Sequence, residues 1–111
     1  MRIRFTTAAS RDVQTIIHFY AGLRRGLGVN FINELHEAVH RLPANPEFGR
    51  RTFRDCRRLT LHRFPHYVIY RIDREAGLIR IVAVCDQRSR PGSWRYRVEE
   101  SAPSYAVPLA A

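Results

Sequence analysis

Lysine is absent from this 111-residue chain, so all 19 of its basic side chains are arginine. Acidic residues are also few: ten stand against the arginines and leave a formal charge of +9. Cysteine occurs only at positions 56 and 85, with no CxxC pair and no histidine cluster at zinc-ligand spacing. That pattern excludes a disulfide framework or a zinc module and fits two reduced thiols of a cytoplasmic protein. No apolar run approaches the roughly 20 residues a membrane helix needs. The opening MRIRFTTAAS lacks an apolar core, so no secretory signal is expected. Internal repeats are also missing.

The remaining composition is that of one folded domain. Apolar residues make up 45% of the chain, too many for a disordered one, and 111 residues suffice for a single modest core. Arginine keeps its charge, and its planar fork suits carboxylates and phosphates. The arginines cluster, with Arg50, Arg51, Arg54, Arg57, Arg58 and Arg63 in one segment and Arg88, Arg90, Arg95 and Arg97 in another. Such a surface expects an acidic partner, whether nucleic acid or an acidic protein segment.

Periodicity changes halfway along the chain. RIRFT reads as a short strand, and Thr6 is a cap for the helix that follows. Val13, Ile16, Ile17, Tyr20 and Leu23 recur at helical spacing over about 8–25. Gly26 and Gly28 mark a turn. A second helix over about 29–42 carries Phe31, Leu35, Ala38, Val39 and Leu42 on one face, and Pro43 and Pro46 end it. RRLTLHRF then alternates as a strand, HYVIYRID suits a central strand, and LIRIVAVCD follows the turn REAG. The expected fold is α+β, in the order β-α-α-β-β-β. A helical hairpin packs on one face of a four-stranded, mainly antiparallel sheet. The domain is expected to span 1–97, with 98–111 a loose C-terminal tail. If the last strand alternates regularly, Ile79, Ile81, Ala83 and Cys85 face the core, while Arg80, Asp86 and Arg88 face an open side.

Four segments in this order resemble the RelE/ParE superfamily of bacterial toxins. They are VNFINELHEAVHRLPANPEFGR, RRLTLHRFPHYVIYRID, IRIVAVCDQRSRP and SWRYR, and together they cover roughly 3–97. The resemblance implies the toxin of a type II toxin–antitoxin pair, a cytoplasmic plasmid-stabilisation protein neutralised by a cognate acidic antitoxin. It also implies one of two modes of action. RelE-type members cut messenger RNA on the ribosome, whereas ParE-type members inhibit DNA gyrase.

The residues lean toward the second mode. Cutting RNA needs a base, an acid and cations around the phosphorane. Arginines supply only the cations. RNA-cutting relatives imply a histidine near Asp86 and a tyrosine near Ser93, and this chain has neither. His62, Asp86 and Arg88 are the candidates left for catalysis. An aspartate with a pKa near 4, lowered further by arginines, is a weak base. His18, His36 and His40 are expected at solvent on the helices. His62 and His66 flank the RFP link and are candidates to face the open side. Arg63, Arg71, Arg80, Arg88, Arg90, Trp94 and Arg97 are the candidate target-binding residues. Trp94 is either a stacking platform or an anchor under the sheet. No cofactor or metal is expected. A ParE-like toxin is the first reading. A ribosome-dependent endoribonuclease or a degenerate, non-toxic relative are the alternatives.

Overall fold

The computed structural model describes residues 1–99. Strand β1, Arg2–Phe5, leads into α1, Thr7–Leu23, and α2, Leu27–His40. A 3-10 turn at Pro46–Phe48 precedes β2, Arg50–Arg51, β3, Cys56–Thr60, β4, His66–Asp73, and β5, Leu78–Asp86. A last turn of helix, α3, spans Tyr96–Glu99. The sheet order is β1-β5-β4-β3-β2, with β1 parallel to β5 and the other pairs antiparallel.

The helical hairpin forms as its sequence dictates. Thr6 caps α1 by accepting the Ala9 N–H at 3.1 Å. The chain reverses at Gly26, whose φ of 84° opens α2 two residues earlier than expected. Gly28 then lets the helices touch, because a Cβ there would lie 3.1 Å from the Ile17 carbonyl oxygen. Phe31, Leu35, Val39 and Leu42 are fully buried against the sheet, as their spacing requires.

The sheet has five strands rather than four. The additional strand, β2, is two residues long and places Arg50 opposite Arg58 and Arg51 opposite Arg57. Like charges across a strand pair disfavour pairing, so nothing in the local sequence signals a strand there. The arginines of β3 escape the repulsion sideways. Arg57 donates to the carbonyls of Glu47 and Gly49 at 3.1 and 2.8 Å, and Arg58 lies 3.8 Å from the Tyr67 ring centre.

The last strand is not regular, and this overturns the expected sorting of its side chains. A bulge opposite Ile69 and Tyr70 pairs them with Ala83 and Ile81 and leaves Val82 extra. Ile79, Ile81 and Val84 pack on the helix side, while Val82, Ala83 and Cys85 pack on the other. Asp86 therefore shares the helix-side face with its cross-strand partner His66, away from Arg80.

The side expected to be open is covered. A second core of Cys56, Tyr67, Ile69, Val82 and Ala83 is closed by Trp94 and Val98, which are 4% and 5% exposed. Burying a tryptophan and a valine here contributes several kcal/mol at ~25 cal/mol per Å². The packed domain therefore includes Val98, one residue past the expected boundary of 97. Residues 100–111 of the expected tail lie outside the described residues.

Candidate functional site

The strongest concentration of candidate residues lies at one end of the sheet, where β4 begins and β5 ends. The loop after β5 is tied to the β3–β4 turn by the Gln87 N–H donating to the Pro65 carbonyl at 2.8 Å. That turn is in turn held by α2. The Glu34 carboxylate accepts the N–H of His62 at 2.6 Å and that of Arg63 at 3.0 Å. Two backbone donors that have no strand partner are thereby satisfied, and the side chains of His62 and Arg63 point to solvent. Arg88 and Arg90 are exposed on the adjoining loop. His62, Arg63, Asp86, Arg88 and Arg90 thus meet at one basic edge.

Asp86 is poorly placed for proton transfer at this edge. The Arg88 guanidinium grips Asp86 through two bonds, Nε to Oδ1 at 3.1 Å and Nη2 to Oδ2 at 2.9 Å. The Arg88 N–H adds a third at 2.8 Å. These bonds hold the Asp86 carboxyl down at about 2, so it stays ionised and is a poor base near neutrality. His66 does not face solvent, contrary to expectation. It is 4% exposed and packs against Phe31, with Nε2 2.9 Å from the Tyr20 hydroxyl. Burial lowers its pKa and keeps the ring neutral, and burial also raises the Tyr20 hydroxyl. The one histidine near the edge with access to solvent is His62, and His18, His36 and His40 lie exposed on the helices as expected.

The other candidates are placed elsewhere. Arg71 and Arg80 sit on the face away from the helices, where Arg71 bonds Asp55 at 3.0 Å and Arg80 bonds Asp73 at 3.2 Å. Trp94 is an anchor under the sheet, its ring edge-on to Phe53. Arg97 is also structural. It clamps Asp12 of α1 through two bonds of 2.7 and 2.9 Å and donates to the Val82 carbonyl at 2.9 Å. Both side chains are 19% exposed, and Asp12 accepts the Val84 N–H as well. Thus Arg63, Arg88 and Arg90 stand at the basic edge, whereas Trp94 and Arg97 lock the C-terminal segment onto the domain.

Three groups hold these elements in place through partners distant in the chain. Glu34, Asp12 and Tyr20 find partners 28, 85 and 46 positions away. Only Tyr20 carried a hint, since a buried tyrosine hydroxyl needs a partner. The thiols take no part. Cys56 is fully buried and its pKa is pushed up to about 11 by that burial, so it is an inert thiol. Among the described residues no group of three or more His, Cys, Asp or Glu is arranged to hold a metal, and no helix is long and apolar enough to cross a membrane. A groove of about 770 Å³ runs between α2 and β3, with Glu34, Arg41, Arg50, Leu59 and Arg63 among its walls and Phe48 on its rim.

Comparison with known proteins places this geometry. Residues 3–91 match the family model described as the ParE toxin of the type II toxin–antitoxin system parDE. The toxin fold of the chromosomal ParDE system from P. aeruginosa is similar at 25% identity, with a TM-score of 0.66 over 78% of this chain and 95% of that one. The isolated E. coli RelE toxin shares the fold at 16% identity, with a TM-score of 0.58 over 88% of this chain and 95% of that one. A chain of the RelBE2 toxin–antitoxin complex from Mycobacterium tuberculosis does so at 23% identity, with a TM-score of 0.50 over 77% and 95%. No relative was found among curated protein sequences. The α+β order, the helical hairpin on the mostly antiparallel sheet and the family match agree, and the chain belongs to the ParE toxin family of type II toxin–antitoxin systems.

Proposed function

We propose that this toxin acts by binding a macromolecular target, DNA gyrase, through the basic edge of Arg63, Arg88 and Arg90, without cutting RNA. The observation that carries the proposal is the state of Asp86. It occupies the place where a nuclease of the superfamily would need a proton carrier, and Arg88 holds it ionised by three hydrogen bonds. An edge rich in fixed cations and poor in titrating groups is suited to holding an acidic surface. A cognate acidic antitoxin neutralises the toxin in the cytoplasm. The groove between α2 and β3 is the seat we assign to it, because Arg41, Arg50 and Arg63 border an apolar floor that includes Leu59. The test is a supercoiling assay with purified gyrase. Inhibition and accumulation of cleaved DNA, relieved by Arg63→Ala with Arg90→Ala, support the reading. Full gyrase activity at excess toxin, with messenger RNA cut on translating ribosomes, overturns it.

A further inference from the structure

We infer that Arg54 and Arg95 form a clamp for the backbone phosphates of single-stranded nucleic acid, built on the ring of Phe53. The site lies at the β2–β3 turn, at the opposite end of β3 from the turn that carries His62 and Arg63. It goes beyond the gyrase reading and does not depend on it.

Backbone geometry supplies the first argument. Arg54 is the one described non-glycine residue with a positive φ, 54°. A turn of this kind favours glycine or asparagine, and an arginine there is strained. Local stability does not explain the choice, whereas presentation of a guanidinium does. The second argument is Arg95. Its Nε lies where a Cβ on Gly92 would approach to 2.9 Å. Gly92, at a φ of 77°, therefore both makes the turn and leaves the space that Arg95 fills.

The platform beneath them is fixed. Phe53 packs edge-on against the buried Trp94 with ring centres 6.1 Å apart. The guanidinium carbons of Arg54 and Arg95 lie 5.2 and 4.8 Å from the centre of that one ring. The two cations are therefore no further apart than the sum of those distances, about a Debye length at ~0.1 M salt. Among the described residues neither guanidinium has a carboxylate or carbonyl partner. The adjacent acid, Asp55, is engaged by Arg71 at 3.0 Å. Two exposed guanidinium forks over one aromatic ring suit an anion with several acceptor oxygens, and phosphate has that geometry.

The surroundings select the kind of phosphate. Arg50 and Arg51, on β2 immediately before the turn, are exposed and continue the charge away from the clamp as a track. Tyr96, next to Arg95 in the chain, is 53% exposed. A lone phosphate needs neither the track nor the ring. A single strand uses both, with phosphates along arginines and bases on an exposed aromatic.

The experiment measures fluorescence anisotropy of labelled 12-residue deoxy- and ribo-oligonucleotides with the full chain across a salt series. Arg54→Gly with Arg95→Ala should weaken both oligonucleotides about tenfold. It should also flatten the slope of log K against log salt by about 1.4, since each single-strand phosphate contact contributes ~0.7. The control, Arg24→Ala with Arg25→Ala at the α1–α2 turn, removes the same charge and should leave the slope unchanged. Arg54→Gly alone should keep or raise the Tm while binding falls, because glycine relieves the positive φ. That separates a binding role from a folding one. Equal losses in both double variants would reduce the clamp to diffuse charge and overturn it. Loss of poly-glutamate peptide binding with oligonucleotide binding unaffected would assign the site to an acidic protein and overturn it too.

Discussion

Replacing Arg97 by alanine tests how the C-terminal segment is held. The substitution removes two charge-assisted bonds to Asp12 and one to the Val82 carbonyl. Asp12 is left 19% exposed with one remaining partner, the Val84 N–H at 2.9 Å. Hydrogen bonds to charged groups contribute about 1.5–3 kcal/mol each. Breaking one half of a largely buried pair costs about 3–5 kcal/mol, most of it from the abandoned charge. Partial exposure and loosening of the segment place Arg97→Ala toward the low end, at about 3 kcal/mol. Asp12→Ala should cost a similar amount. The double variant should be far less damaging than the two losses together, since neither charge is then stranded, giving a coupling of about 2 kcal/mol. The assay is urea unfolding followed by fluorescence of Trp94, the chain's only tryptophan, which sits inside the second core. Circular dichroism of the helices is followed in parallel. Losses that add to within ~0.5 kcal/mol would show that the pair is not a coupled clamp and refute the reasoning.

Two further predictions follow from the basic edge. His66 is buried with its pKa lowered below the ordinary 6.5. The unfolded chain therefore binds a proton first, and stability falls as pH drops below about 6.5 toward the lowered value. Urea midpoints between pH 7 and 4.5 should show this fall in the wild type and a smaller one in His66→Gln. An equal fall in both would remove His66 as its cause. Asp86 has the acid-side signature of a depressed carboxylate, so its contribution is present above about 4 and is lost as pH falls through about 2. Asp86→Asn should abolish that acid limb yet leave growth arrest intact in cells that express the toxin without antitoxin. Loss of toxicity in a folded Asp86→Asn protein would restore a catalytic role.

Much of the architecture was legible because it rests on local periodicity. The helical faces of Val13 and Tyr20 and of Phe31, Leu35 and Val39 recur at three- and four-residue steps, and each of these residues is buried. The run LIRIVAVCD became β5 with the expected ends. Trp94 was legible only as a choice between platform and anchor, and its burial in the second core decides for the anchor. β2 was hidden because two arginines facing two arginines carry no strand signal. The ties through Glu34 and Asp12 were hidden because they join residues far apart in the chain.

The bulge at Val82 had the largest consequence, since it decides what the basic edge contains. Without it, regular alternation would carry Asp86 to the same face as Arg80, which here pairs with Asp73. The extra residue instead turns Asp86 onto the His66 side, at the sheet's end, where Arg88 folds back on it. It also leaves Val82 and Ala83 both on the second face, where Trp94 and Val98 close over them. One inserted residue thus decides which face carries Asp86 and its surface ion pair with Arg88, and builds the apolar seat for the C-terminal segment. No simple alternation of polar and apolar residues encodes that shift, because Val82, Ala83 and Val84 are all apolar and suit either face.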